Sequence, residues 1–234
     1  MRALFMILLV ILTSCSQNHR PVLEQEMPKD IEVFFCPEDD CLGELISLTA
    51  KSSNVDCALY NVDIPELLDA LEGQNARLIT DKDNEKKLEG TKLDYRSNYG
   101  AQLMHNKFCI LDNKTVITGS YNPTVRGAKD DNNMLVINSK ELAANYRDEF
   151  EEMWLGWFEG GNKVQNQIVN VSGTIVQNYF CPEDCKYEAI AAVLNSINNA
   201  KESIYFMTFS FTDDNIGDAI IDKHREGVYV AGIF

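Results

Sequence analysis

Apolar residues recur along the chain with two periods, and the alternation between them outlines the elements. From Glu188 to Ala200, Ile190, Val193, Leu194 and Ile197 share one face at the three-and-four spacing of an amphipathic helix. Ser203 to Phe211 follows as a run rich in aromatic and apolar residues, the composition of a buried strand. After a second helical stretch, Arg225-Glu226-Gly227 turns the chain into Val228–Ile233, another strand. Earlier, Met104 to Leu111 alternates at period two, which predicts a strand with His105, Lys107 and Cys109 on one face. Asn113-Lys114 predicts a turn, and Thr115 to Ser120 a returning strand that sets Thr118, Ser120 and Asn122 in alternation. Met134 to Ile137 is a further apolar strand. The tryptophans Trp154 and Trp157 fall on an amphipathic helix as core packing, with the acidic run 148–152 as its solvated side. Helices alternating with apolar strands predict an α/β fold, a mixed and mostly parallel sheet flanked by helices.

The pattern is also duplicated. Phe35-Cys36-Pro37-Glu38-Asp39 recurs as Phe180-Cys181-Pro182-Glu183-Asp184. Ala58 to Asp63 aligns with Met207 to Thr212 at an offset of 149, and Leu67, Asp69 and Ala70 fall on Ile216, Asp218 and Ala219 at that same offset. Each copy reads as a cysteine-marked start, a helix, a buried strand and another helix. The counterpart of His105 would fall at position 254, beyond Phe234. The expectation is a piece of a longer chain, with a first unit over 31–160 and the start of a second over 176–234.

Composition changes this picture in three places. With 21 basic against 36 acidic residues the net charge is −15, which opposes indiscriminate binding to a phosphate backbone and leaves nucleic acid the less favoured partner. At the N-terminus, Arg2 precedes the apolar stretch Ala3–Leu12, too short to span a bilayer as a mature helix, and Leu12-Thr13-Ser14-Cys15 closes it. That tetrapeptide resembles the lipobox of prokaryotic lipoproteins. The resemblance implies a signal peptide over 1–14, a lipidated Cys15, a polar tether over 15–30, and an exported protein held on the outer face of the cytoplasmic membrane or in the periplasm. Export permits disulfides. Cys36 with Cys41 and Cys181 with Cys185 read as local disulfides in preference to a four-cysteine zinc site, and Cys57 and Cys109, in apolar strand-like runs, as buried free thiols.

The candidate chemistry lies in His105-Asn106-Lys107. A lone His-x-Lys on a strand is ordinary surface charge. Opposite hydroxyl and amide groups from Ser120 and Asn122 it becomes a compact cationic pocket suited to a phosphate, with lysine as a point charge and histidine as nucleophile or acid. Asp112 lies five residues past Lys107 and turns to the opposite side of a continuous strand, so it is expected to shape the hairpin by capping backbone amides. His224 sits at a helix end beside Lys223 and Arg225, where the helix dipole favours a cation, and His19 falls in the tether.

His-x-Lys-x4-Asp, followed after six residues by Gly119-Ser120-x-Asn122, resembles the HKD signature of the phospholipase D superfamily. The tail Leu142-Ala143-x2-Tyr146-x3-Phe150-x3-Trp154 is similar to the helix that closes an HKD half. The resemblance implies a duplicated phospholipase D-like fold and a mechanism without metal or cofactor. One histidine attacks phosphorus, the histidine of the other half protonates the leaving alcohol and then activates water, and Lys107 and Asn122 stabilise the equatorial oxygens. The second histidine would come from a second HKD half in a longer chain or from a homodimer. An acidic residue that orients the histidine often precedes the next apolar strand in this family; this sequence has Asn132 there, with Asp130 and Asp131 just upstream. The leading expectation is a phosphodiesterase acting on, or transferring, a phospholipid headgroup ester. The alternative is an extracytoplasmic nuclease cleaving DNA or RNA by the same chemistry.

Overall fold

The computed structural model describes residues 30–234. The signal peptide, lipidated Cys15 and almost all of the tether expected from the sequence lie outside the described residues. Seven strands form one sheet in the order β1 (Ile31–Cys36), β7 (Asn132–Asn138), β6 (Thr115–Gly119), β5 (Lys107–Leu111), β2 (Asn54–Leu59), β3 (Asn75–Asp81) and β4 (Asp94–Asn98). The sheet is mixed, but its balance differs from the mostly parallel one expected. Only β2–β3 and β3–β4 are parallel, while β1–β7, β7–β6, β6–β5 and β5–β2 are antiparallel. The reason is local: tight turns join β5 to β6, and only the strands separated by helical crossovers can run parallel.

Helices α1 (Cys41–Lys51) and α2 (Pro65–Glu72) cover one face and α3 (Lys140–Trp154) the other. Their ends follow from sequence. Asp40 caps α1 by accepting from Gly43 N (2.9 Å), Ser139 caps α3 by accepting from Leu142 N (3.2 Å), and Pro65 opens α2 where no helical N–H bond is lost. Because both faces are covered, alternate residues of one strand enter different cores. Cys57, Leu59, Cys109, Leu111 and Ile117 pack under α1 and α2, whereas Ala58, Phe108, Ile110 and Val116 pack under α3 with Phe150 and Met153.

The chain continues through the hairpin β8 (Ile168–Val171) and β9 (Thr174–Gln177) to the second copy of the repeat. There α4 (Ile190–Asn199), β10 (Ser203–Met207), α5 (Asp214–Arg225) and β11 (Tyr229–Ile233) repeat the order α1–β2–α2–β3, and β10 and β11 pair in parallel.

Four further expectations are corrected. Cys57 and Cys109 are not free thiols: they face each other across β2 and β5, with Cα atoms 4.1 Å apart, and form a disulfide, as do Cys36–Cys41 and Cys181–Cys185. The pairing of antiparallel strands distant in sequence decided this, and neither run alone carries it. The acidic run of α3 is not wholly solvated, since Glu149 is buried with its carboxylate among those of Glu152 and Glu183. Burial first, then the charge of Glu183, pushes Glu149 up to about 8. The tryptophans also part company. Trp154 ends α3, stacked on Phe150 at 5.6 Å and faced by Arg77 and Arg96, while Trp157 lies beyond the helix, 57% exposed. Finally, the strand expected from Met104 begins only at Lys107, and His105 stands on the loop that enters it.

Candidate active site

The middle strand of the sheet is β5, and the residues of the candidate site gather where it begins. That end of β5 lies beside the C-terminal ends of β2 and β3, whose next residues form loops at the same edge. The β2–β5 ladder closes with Tyr60 N donating to Asn106 O (2.8 Å), just past the Leu59–Lys107 pair. Beyond that bond the chain leaves the sheet, and His105 is delivered by the loop 99–104. Side chains around it hold this loop: Asp81, which ends β3, accepts from Met104 N (3.0 Å); Asn98, which ends β4, donates to Gln102 O (2.6 Å); Lys82 donates to Gly100 O (3.0 Å); and Glu159 accepts from Ala101 N (2.7 Å).

His105 and Lys107 are in direct contact. Lys107 Nζ lies 3.3 Å from each ring nitrogen of His105 and donates to the histidine's own carbonyl at 2.9 Å. Tyr60 completes a triangle: its ring centroid is 4.6 Å from that of His105, and Lys107 Nζ is 5.2 Å from the tyrosine ring. Burial is the main cause lowering the His105 pKa, the neighbouring Lys107 charge lowers it further, and Asp81 opposes them. Burial also brings Lys107 down to about 8. At neutral pH the imidazole is therefore mostly unprotonated and able to attack an electrophile, while the ammonium still carries its charge.

The second strand of the hairpin frames the pair. Gly119, the last residue of β6, has φ +151°, and a Cβ there would lie 2.3 Å from Asn133 O, so only glycine lets β6 approach β7 this closely. Ser120 N donates to Asn133 O (3.1 Å), and Ser120 Oγ accepts from Asn133 N (3.0 Å), leaving the hydroxyl proton of Ser120 for another acceptor. Asn122 has a buried Oδ1 with no hydrogen-bond partner among the described residues. Lys107, Thr118, Gly119 and Tyr121 line one small cavity at this edge. The loop after β6 is tied to the loop after β2, because Asp63 Oδ1 accepts from Val125 N (2.8 Å).

Asp112 lies at the far end of the hairpin. The turn spans residues 112–114 and takes in the Asn113-Lys114 pair that the pattern marked; Asp112 and Asn113 have positive φ (51° and 53°), and Lys114 N donates to Leu111 O (3.0 Å). The carboxylate of Asp112 accepts from Ser53 N and Asn54 N, each at 2.9 Å, which clamps the turn to the start of β2. Asn132 uses its amide on the carbonyls of Gly127 (3.4 Å) and Asp130 (3.1 Å), so it holds a surface turn. Two members of the site escaped sequence reasoning. Tyr60 follows an apolar strand and looked like its continuation; Asp81 ends another, and a carboxylate closing a hydrophobic run was the signal available.

Residues 30–154 match the family model described as "Cardiolipin synthase, PLD-like domain", more than half of the 234 residues. The chain belongs to the PLD-like domain family. Mitochondrial cardiolipin hydrolase of Mus musculus is 31% identical over 47% of this chain and 56% of its own length. A phospholipase D of Rickettsia felis is 33% identical over 32% of this chain and 42% of its own length. The chain spans about half the length of the curated relatives it matches, 56%, 48% and 57% for the cardiolipin hydrolases of mouse, dog and human. Among solved structures, the phospholipase D family member Nuc from Salmonella typhimurium has a TM-score of 0.50 at 22% identity, over 53% of this chain and 93% of that one. Phosphatidylserine synthase from Haemophilus influenzae has a TM-score of 0.64 at 10% identity, over 88% of this chain and 62% of that one. At such identities the likeness establishes the PLD-like fold. Members of the family are phosphodiesterases, which supports that general class of chemistry for the domain.

Proposed function

We propose that this PLD-like protein cleaves the phosphodiester bond of a membrane phospholipid through a covalent phosphohistidine on His105. The observation that carries the reading is the direct contact of His105 with Lys107 over Tyr60, an imidazole kept unprotonated beside a cation. In the first step a ring nitrogen of His105 attacks phosphorus, the phosphorus–oxygen bond to the leaving alcohol breaks, and a general acid gives that alcohol its proton. In the second, water attacks the phosphohistidine, loses a proton to the same group, and releases the phosphate ester with His105 regenerated. Lys107 and the Ser120 hydroxyl stabilise charge on the equatorial oxygens, with the Asn122 amide beside them. The acid is the histidine of a second motif, carried by a longer chain or contributed by a second copy.

Two observations support a lipid over a nucleic acid: the net charge of −15, and curated relatives described as cardiolipin hydrolases and phospholipases D. Acylation of Cys15 would hold the site at a membrane surface, where such a substrate lies. The test incubates the protein with cardiolipin or phosphatidylcholine vesicles and, separately, with plasmid DNA, beside the H105A variant. Phosphatidic acid release that disappears in H105A supports the proposal. Nicking of the plasmid with intact vesicles would give the protein to nucleic acid instead.

A further inference from the structure

His105 stands on a loop, and a nucleophile on a loop needs something rigid to fix it. On the C-terminal side Asn106 is bonded to β2, and on the N-terminal side the fixed point is Asp81, the last residue of β3, which is 1% exposed. One carboxylate oxygen accepts from Met104 N at 3.0 Å, and the other accepts from Asp83 N at 3.2 Å, where a 3-10 stretch begins. Both oxygens are thus bonded to backbone amides, and the side chain has no freedom to turn away. The groups whose charge acts on the imidazole are few: Lys107 from β5 and Asp81 from β3, with the Tyr60 ring packed against it from the end of β2. Asn132, the first residue of β7, occupies the place where the family resemblance implies an acid, and its amide is bound to the backbone carbonyls of Gly127 and Asp130.

We propose that Asp81 is the positioning residue of His105, anchoring the main chain one residue ahead of the imidazole and supplying the negative charge that Asn132 does not. In the attacking histidine, positive charge grows on the ring as the bond to phosphorus forms. A fixed carboxylate stabilises that charge, while a neutral amide in its place would hold the loop alone. This inference rests on the phosphodiesterase reading for its kinetic consequence, but its electrostatic half stands by itself.

The experiment follows the His105 ring by NMR through a pH titration of the full chain, with the resonance assigned by its absence in H105A. D81N retains an oxygen acceptor for Met104 N and removes the charge, so the midpoint of His105 moves down by about half a unit or more. An unchanged midpoint in folded D81N overturns the proposal. Should D81N fail to fold, the carboxyl carbon of Asp81 in the unaltered protein is followed instead. An inflection at the His105 midpoint supports the pairing, and a flat response through it overturns the pairing. In the kinetic arm, the acid limb of kcat/KM moves to lower pH in D81N, and kcat falls about tenfold as transition-state charge loses its partner. A shifted midpoint in a protein without phosphodiesterase activity would uphold Asp81 and refute the functional reading.

Discussion

Helix, strand, helix and strand run twice along this chain, as α1–β2–α2–β3 and as α4–β10–α5–β11, and in both copies the two strands pair in parallel. Their surroundings differ. In the first copy β5 pairs with the other edge of β2, helices cover both faces, and Val55 and Ala58 are completely buried. In the second, among the described residues, β10 pairs only with β11; Tyr205 and Met207 are 67% and 56% exposed, and Phe206 stacks with Phe211 and Phe234. An apolar pattern specifies an element and the face it offers. Whether that face is buried depends on what the rest of the chain lays against it. The same contrast holds for chemistry: the first copy continues into the β5–β6 hairpin with His105 and Lys107, and the candidate site lies entirely within it.

The comparison can be broken most directly at His105. H105A is expected to lower phosphodiester cleavage by about 10³-fold or more, since the attacking group is gone. H224A, which alters a histidine at a helix end in the second copy, leaves the rate unchanged. Equal losses from both would dissolve the distinction between the copies. Lys107→Met comes next, with a loss of about 10²-fold from missing charge stabilisation. Because Lys107 titrates at about 8, kcat/KM of the unaltered protein declines as pH rises through that value, the ammonium losing its charge there. A rate profile flat from pH 7 to 9.5 would contradict this.

Stability sharpens the contrast further. Replacing both Cys57 and Cys109 by alanine removes a link across a sequence separation of 52 residues, at a cost of about 2–4 kcal/mol in urea unfolding. Leu67→Ala, at a side chain 1% exposed under the first sheet, costs about 2–4 kcal/mol. Ile216→Ala at the repeat-equivalent, half-buried position costs about 1 kcal/mol. Similar values for the two would mean that both copies are packed alike. A pH-dependent effect lies at the junction, where Glu149 of the first copy meets Glu183 of the second. A carboxyl held at about 8 when folded keeps its proton after the unfolded chain has lost its own, so stability falls as pH rises from about 4.5 to about 8. E149Q carries no such proton, and its thermal midpoint therefore gains on that of the unaltered protein between pH 5 and pH 8.5.

The HKD hairpin was readable from residue spacing because everything it requires is local. Alternation placed the returning strand, Gly119 and Ser120 belonged to the signature, and Asp112 marked the turn. Tyr60, Asp81 and the Cys57–Cys109 bond were not readable, since each joins segments more than twenty residues apart through strand neighbours that no periodicity names. Glu149 shows the same limit from the opposite side: its charged run predicted solvent, and the second copy's Glu183 covered it.

By itself the sequence determined the alternation of helices and strands, the repeat of that order, and the motif on which the functional proposal rests, because these are short-range patterns of polarity and spacing. The tertiary structure decided the order of strands and the balance of parallel to antiparallel pairing. It also decided the cysteine partners, and brought Asp81 and Tyr60 to the histidine. Those are properties of which edge meets which edge, and the energy that selects them is realised only when distant segments bury one another's apolar faces.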